Sequence, residues 1–138
     1  MAAIDAIIDT GPLVGALDRD DQWHPWAAGA FATINQPALT CDAVVSQACF
    51  LLCDVPGARE NIFTLIERGI LRVVPVLPEE SPAVRLLLAR YGQRMDYADA
   101  CLVRLSELHA KHTIVTTDAA DFRIYRRFKR QSLPLLTP

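Results

Sequence analysis

Aspartates stand at Asp9, Asp96, Asp99, Asp118 and Asp121, each where a short apolar run begins or ends. Asp9 closes Ala6-Ile7-Ile8, and an acid at the end of a first buried strand is a poor packing choice without a partner. Two carboxylates about 4 Å apart repel by roughly 4 kcal/mol at an effective dielectric near 20. Several acids gathered in one cleft therefore need protons or a cation. Oxygen ligands without His or Cys select a hard ion, Mg²⁺ or Mn²⁺, which keeps several waters and commonly binds together with phosphates. Such an ion suits phosphodiester hydrolysis. The basic residues Arg123, Arg126, Arg127, Lys129 and Arg130 follow closely behind Asp118 and Asp121, and they could hold a nucleic-acid backbone.

Each residue also has a plainer explanation. Asp96 could be a helix N-cap with Asp99 three residues on, Asp121 could cap the turn before Phe122, and the basic run could be a solvated helix end. Thr10 and Thr117 could orient water or phosphate, although a hydroxyl near a strand end is commonly a local cap. A phosphatase-type reaction with Asp9 as nucleophile would call for a second Asp two residues later, where the sequence has Gly11.

Three elements must position the acids. The run ending at Asp9, followed by Thr10-Gly11-Pro12, predicts a buried strand turning into a helix. Residues 96–110 are the longest helical pattern, and the strand Thr113-Ile114-Val115-Thr116 leads to Thr117-Asp118, which puts Asp9 and Asp118 at strand ends. Between them the pattern predicts helices opened by Asp20-Asp21, by Asp42 as N-cap running to Leu52, by Pro56 and ended by Gly69, and by Ser81-Pro82 and closed near Gly92. Further strands are predicted at 38–41, at 71–76 as one covered on both faces, and at 133–136 on a sheet edge because of Pro134. Strands alternating with helices predict an α/β fold, a mostly parallel sheet of four or five strands with helices on both faces. In such sheets the working crevice lies beyond the carboxyl ends of the strands.

A chain of 138 residues with 51% hydrophobic content and a mean hydropathy of +0.19 reads as one domain over residues 1–138, with no membrane span. The net charge of −2 excludes nucleic-acid binding through overall basicity. No export segment follows Met1, so the expected location is the cytoplasm. Cys41, Cys49, Cys53 and Cys101 lie in apolar surroundings and read as buried thiols rather than disulfides or a zinc set.

In order and spacing, the motifs Ile7-Ile8-Asp9-Thr10-Gly11-Pro12-Leu13, Met95-Asp96-Tyr97-Ala98-Asp99-Ala100 and Thr116-Thr117-Asp118 with Asp121-Phe122 resemble those of PIN-domain nucleases. The likeness is greatest to the VapC-type toxins of prokaryotic toxin–antitoxin pairs, and it runs over nearly the whole chain. It implies an endoribonuclease dependent on Mg²⁺ or Mn²⁺, with Asp9, Asp99 and Asp118 on the metal and Asp96 or Asp121 assisting through water. It also implies an RNA substrate, homodimers, and a cognate antitoxin occupying the active-site groove. One position departs from the pattern. The family carries a glutamate in the third helix, where this sequence has Gln47, which keeps an oxygen but loses the charge. That departure sets a second reading beside the first: a catalytically weak or inactive module that binds RNA or a protein.

Overall fold

The run Ala6-Ile7-Ile8 offers no polar residue to either side, and it forms the fully buried central strand β1 (Ala6–Ile8). The computed structural model describes residues 2–138. After β1 come α1 (Thr10–Leu17), α2 (His24–Phe31), β2 (Ala38–Thr40), α3 (Asp42–Leu51), α4 (Ala58–Glu67) and β3 (Leu71–Val73). The second half holds α5 (Ser81–Tyr91), a 3-10 turn (Gly92–Arg94), α6 (Tyr97–Leu108), β4 (Thr113–Val115) and α7 (Ala119–Phe122). It ends in a hairpin of β5 (Arg126–Arg127) and β6 (Gln131–Ser132), then β7 (Leu135–Leu136).

Five strands form one parallel sheet in the order β3-β2-β1-β4-β7, with Ile7 opposite both Leu39 and Ile114. The chain builds β2 and β3 outward on one side of β1, then returns to place β4 and β7 on the other. The order thus reverses between β1 and β4, the kind of switch point at which open α/β sheets bind ligands. Asp9 follows one of these strands directly. The α/β architecture and its parallel sheet are as expected, and no helix among the described residues is long and apolar enough to cross a membrane.

Helix α6 is buried on most of its circumference, with Ala98, Ala100, Cys101, Leu102, Val103, Leu105 and Ser106 all inside. It packs against β1 and β4 as well as α3, α5 and the hairpin strand β5. The helix that carries Asp99 is therefore held from several sides.

The structure corrects several local expectations. Asp42 is not a cap: it lies inside the first turn of α3, and Cys41 takes the cap position with no side-chain bond. Helix α2 begins at His24 rather than at Asp20, because Asp21 Oδ2 instead accepts from the Trp23 amide at 2.9 Å and closes a turn ahead of the helix. Strand β3 is an edge strand with Arg72 exposed, not one covered on both faces. Strand β4 stops at Val115, so Asp118 is the N-cap of α7 rather than the last residue of a strand. The basic run after α7 forms a β-hairpin, not a helix end. Cys41 and Cys101 are buried free thiols, but Cys49 is only half-buried and Cys53 is exposed.

Candidate active site

At the carboxyl end of β1, Asp9 is 8% exposed and both of its oxygens are engaged. Oδ1 accepts from the Thr10 amide at 2.7 Å, which caps α1, and Oδ2 accepts from the Thr116 hydroxyl at 2.7 Å. The Thr116 oxygen in turn accepts from the Asp118 amide at 3.0 Å. One buried hydroxyl thus ties the first acid to the backbone of the third. Gly11 permits the first turn of α1 to lie close against the segment that follows β4, since a Cβ there would collide with the side chain of Thr117.

The second acid arrives on α6. Asp96 caps that helix by accepting from the Asp99 amide at 2.8 Å, so the capping explanation of Asp96 holds. Asp99 Oδ2 lies 2.8 Å from the hydroxyl of Tyr125, whose oxygen is also 2.8 Å from the Arg94 carbonyl. Tyr125 is fully buried and is wedged edge-on between Tyr91 and Phe122, at ring-centroid distances of 5.0 and 5.3 Å. Asp118 accepts from the Asp121 amide at 3.2 Å, and Asp121 pairs with Arg94 at 2.9 Å.

Gln47 also reaches this crevice. Its Oε1 accepts from the Thr10 hydroxyl at 2.6 Å, and its Nε2 lies 3.4 Å from Asp96 Oδ2. The amide thereby links α1 to the start of α6, presenting its donor side to a carboxylate. A glutamate at this place would lack that donor and add a like charge.

The acids feel one another. Burial pushes the Asp9 carboxyl above its ordinary range, and Asp118 and Asp96 push it further against the lowering effect of its two hydrogen bonds. Burial, helped by Asp96 and Asp9, raises Asp99 to about 7 despite the Tyr125 hydroxyl. Asp118 is also raised, by burial first and then by Asp121 and Asp96. Partly buried carboxylates that raise one another's pKa mark a place where a cation would be welcome.

The donor set fits a hard cation in chemistry, being all oxygen. Among the described residues, however, no three His, Cys, Asp or Glu side chains are gathered closely enough to hold a metal ion by themselves.

The basic segment behaves differently. Arg127 is 6% exposed, and its guanidinium donates to the Ser106 carbonyl and hydroxyl at 3.0 Å and to the Ala110 carbonyl at 3.1 Å. It closes the end of α6, as cations do at helix C-termini, and is withdrawn from any nucleic acid. Arg126 folds one nitrogen back onto the carbonyls of Arg123 and Tyr125. Lys129 and Arg130 sit on the hairpin turn, where Arg90 donates to the Lys129 carbonyl. Of the five, only Arg123 adjoins α7 and its acids.

The family model of the PIN domain matches residues 6–131. This chain is a PIN-domain protein. Its PIN fold is similar to that of Mycobacterium tuberculosis VapC20, described as a sarcin-ricin loop cleaving toxin, with a TM-score of 0.67 at 18% identity. The likeness covers 80% of this chain and 87% of the other. FitAcB from Neisseria gonorrhoeae is similar over 85% of this chain and 90% of its own, with a TM-score of 0.60 at 13% identity. At these identities the likeness concerns the fold. No curated protein matches the sequence.

Three residues of this PIN domain's crevice were missed by the sequence reading. Thr116, rather than Thr117, makes the bridge between acids; Tyr125 holds Asp99; and Arg94 provides a cation at the crevice edge.

Proposed function

We propose that this PIN domain is a divalent-metal-dependent endoribonuclease and the toxin of a prokaryotic toxin–antitoxin pair. The observation that carries the reading is the mutual influence of Asp9, Asp99 and Asp118 beside the switch point: burial raises each carboxyl, and Asp96 pushes all three further. Membership of the PIN family and the likeness to a toxin that cleaves the sarcin-ricin loop support it.

In this reading Asp9, Asp99 and Asp118 would hold Mg²⁺ or Mn²⁺, with Asp96 or Asp121 assisting through water. When bound, such an ion would acidify a water and offset charge developing on the phosphoryl oxygen. Thr116 fixes the orientation of Asp9, Tyr125 fixes that of Asp99, and Thr10 with Gln47 closes the wall opposite α6. Arg94, half-exposed and held by Asp121, is the cation best placed to meet an incoming phosphate. The partners are an RNA substrate in the cytoplasm, a cognate antitoxin and a second copy of the chain. Exposed Phe50, Leu51 and Phe63 on the neighbouring helices α3 and α4 support a homodimer.

Gln47 favours a second reading, a PIN domain that binds RNA or protein with little or no cleavage, because the crevice has an amide where the family pattern has a carboxylate. Incubation of the purified chain with RNA and Mg²⁺ or Mn²⁺ distinguishes the two. Cleavage that stops with EDTA and with Asp9→Asn supports the nuclease. Cleavage that survives Asp9→Asn overturns the proposed site, and cleavage seen only in Gln47→Glu selects the second reading.

A further inference from the structure

Behind the acidic crevice, along the second half of α6, lies a cavity of about 270 Å³ between α5, α6 and the hairpin. Its floor and lips are aliphatic and aromatic: Leu87 is nearly buried, while Leu86 is 70% and Phe128 50% exposed. Large side chains left in water at one place mark interaction surfaces more often than chance exposure does.

Phe128 is presented in an unusual way. It has φ +50° and Lys129 has φ +69°, left-handed conformations adopted here without glycine. Both are strained backbone conformations for residues that carry a Cβ. The Phe128 amide donates to Glu107 at 2.7 Å, and the Arg127 guanidinium lies 5.4 Å from the ring centroid. The fold thus holds a strained turn whose visible result is a half-exposed aromatic ring, which contributes little to the core.

The rim is basic although the chain as a whole is acidic. Arg90, Arg126 and Lys129 border the cavity, and none of them forms a salt bridge among the described residues; Arg90 and Arg126 each rest one guanidinium nitrogen on backbone carbonyls, which holds the group in place and leaves its charge unpaired. Arg104 is the exception, being held between Glu80 and Glu107. An apolar floor inside a cationic rim is complementary to a peptide with apolar anchors on one side and carboxylates on the other. A surface for RNA would instead follow the backbone with cations and offer aromatic platforms for successive bases; here the floor is aliphatic and a single ring is available.

We propose that this groove docks an acidic amphipathic segment of a partner protein, with its apolar side chains on Leu86, Leu87 and Phe128 and its carboxylates on Arg90, Arg126 and Lys129. The proposal is independent of RNA cleavage at the crevice.

The test uses fluorescence polarisation with a labelled helical peptide of about four turns, leucines on one face and glutamates on the other. A scrambled peptide of the same composition and single-stranded poly(U) serve as comparison probes. The amphipathic peptide is expected to bind at least about 10-fold more tightly than the scrambled one, and less tightly as salt rises. Phe128→Gly removes the anchor and relieves the left-handed strain, so affinity should fall about 10-fold with thermal stability unchanged or raised. Lys129→Glu should weaken binding by a similar factor and flatten its salt dependence. Equal binding of the scrambled peptide would overturn the proposal, as would wild-type affinity in both variants. Poly(U) binding that Lys129→Glu abolishes, with no peptide binding, would assign the surface to nucleic acid and overturn it as well.

Discussion

The crevice and the hairpin each gather one sign of charge, and they use it in opposite ways. In the crevice, Asp9, Asp99 and Asp118 are held by Thr10, Thr116, Tyr125 and the first turn of α7, yet their mutual repulsion is left uncompensated. In the hairpin, buried Arg127 donates to backbone carbonyls at the end of α6 and closes that helix. Charge that is placed rigidly but left unneutralised is available for chemistry; charge absorbed by the backbone is architecture. Proximity in sequence concealed the difference, because Asp121 and Arg127 lie close together in the chain but serve opposite ends of α6.

The largest expected effect separates the two regions most sharply. Asp99→Asn should slow RNA cleavage by roughly 100-fold or more, since losing a group that merely orients a metal ligand already costs about 10- to 100-fold. It should also stabilise the metal-free protein above neutral pH. The sign follows from linkage: the folded-state value near 7 exceeds the ordinary 3.8, so the native state holds the proton more tightly. The stability this group contributes is full below about 3.8 and is lost as the pH rises through about 7. Thermal melts in EDTA should therefore show wild type losing more stability between pH 5 and pH 8 than Asp99→Asn does. Equal losses would contradict the raised carboxyl.

Arg127→Ala should do the reverse. It strips the end of α6 of three hydrogen bonds and should cost roughly 2–3 kcal/mol in urea unfolding, while RNA cleavage per folded molecule stays at the wild-type level. A cleavage defect without a stability defect would return Arg127 to the RNA surface.

A smaller effect is expected from Gln47→Glu. The added charge should tighten Mn²⁺ binding about 10-fold by calorimetry and, in EDTA, lower the melting temperature through repulsion with Asp96. Unchanged affinity would mean that Gln47 faces the ion too remotely to matter. Least of all should come from Arg130→Ala, an exposed hairpin residue: the salt dependence of RNA binding should not change, whereas a slope reduced by about one would identify a phosphate contact.

Much of the crevice was legible because the residues that build it obey local rules. The unbroken apolar run before Asp9 reads as a buried strand, and Asp96 with Asp99 marks the start of α6. Thr116 was missed because β4 ends at Val115, earlier than the pattern predicted, and in extended chain a shift of one residue changes which hydroxyl faces the neighbouring strand. Tyr125 and Arg94 act across 26 and 27 residues of sequence, on Asp99 and Asp121, and such contacts leave no periodic trace. The hairpin was hidden by chemistry of another kind. Its turn places Phe128 and Lys129 at positive φ with no Gly, Asn or Asp to signal it.

A divalent cation is expected in the crevice between β1, β4 and α6. Paramagnetic broadening by Mn²⁺ in spectra of the ¹⁵N-labelled protein tests it without relying on activity. The amides of Asp9, Thr10, Asp99 and Asp118 should broaden first at substoichiometric Mn²⁺, while the Phe128–Arg130 turn should stay sharp. Broadening centred elsewhere, such as on Glu79 and Glu80, or uniform over the surface, would contradict it.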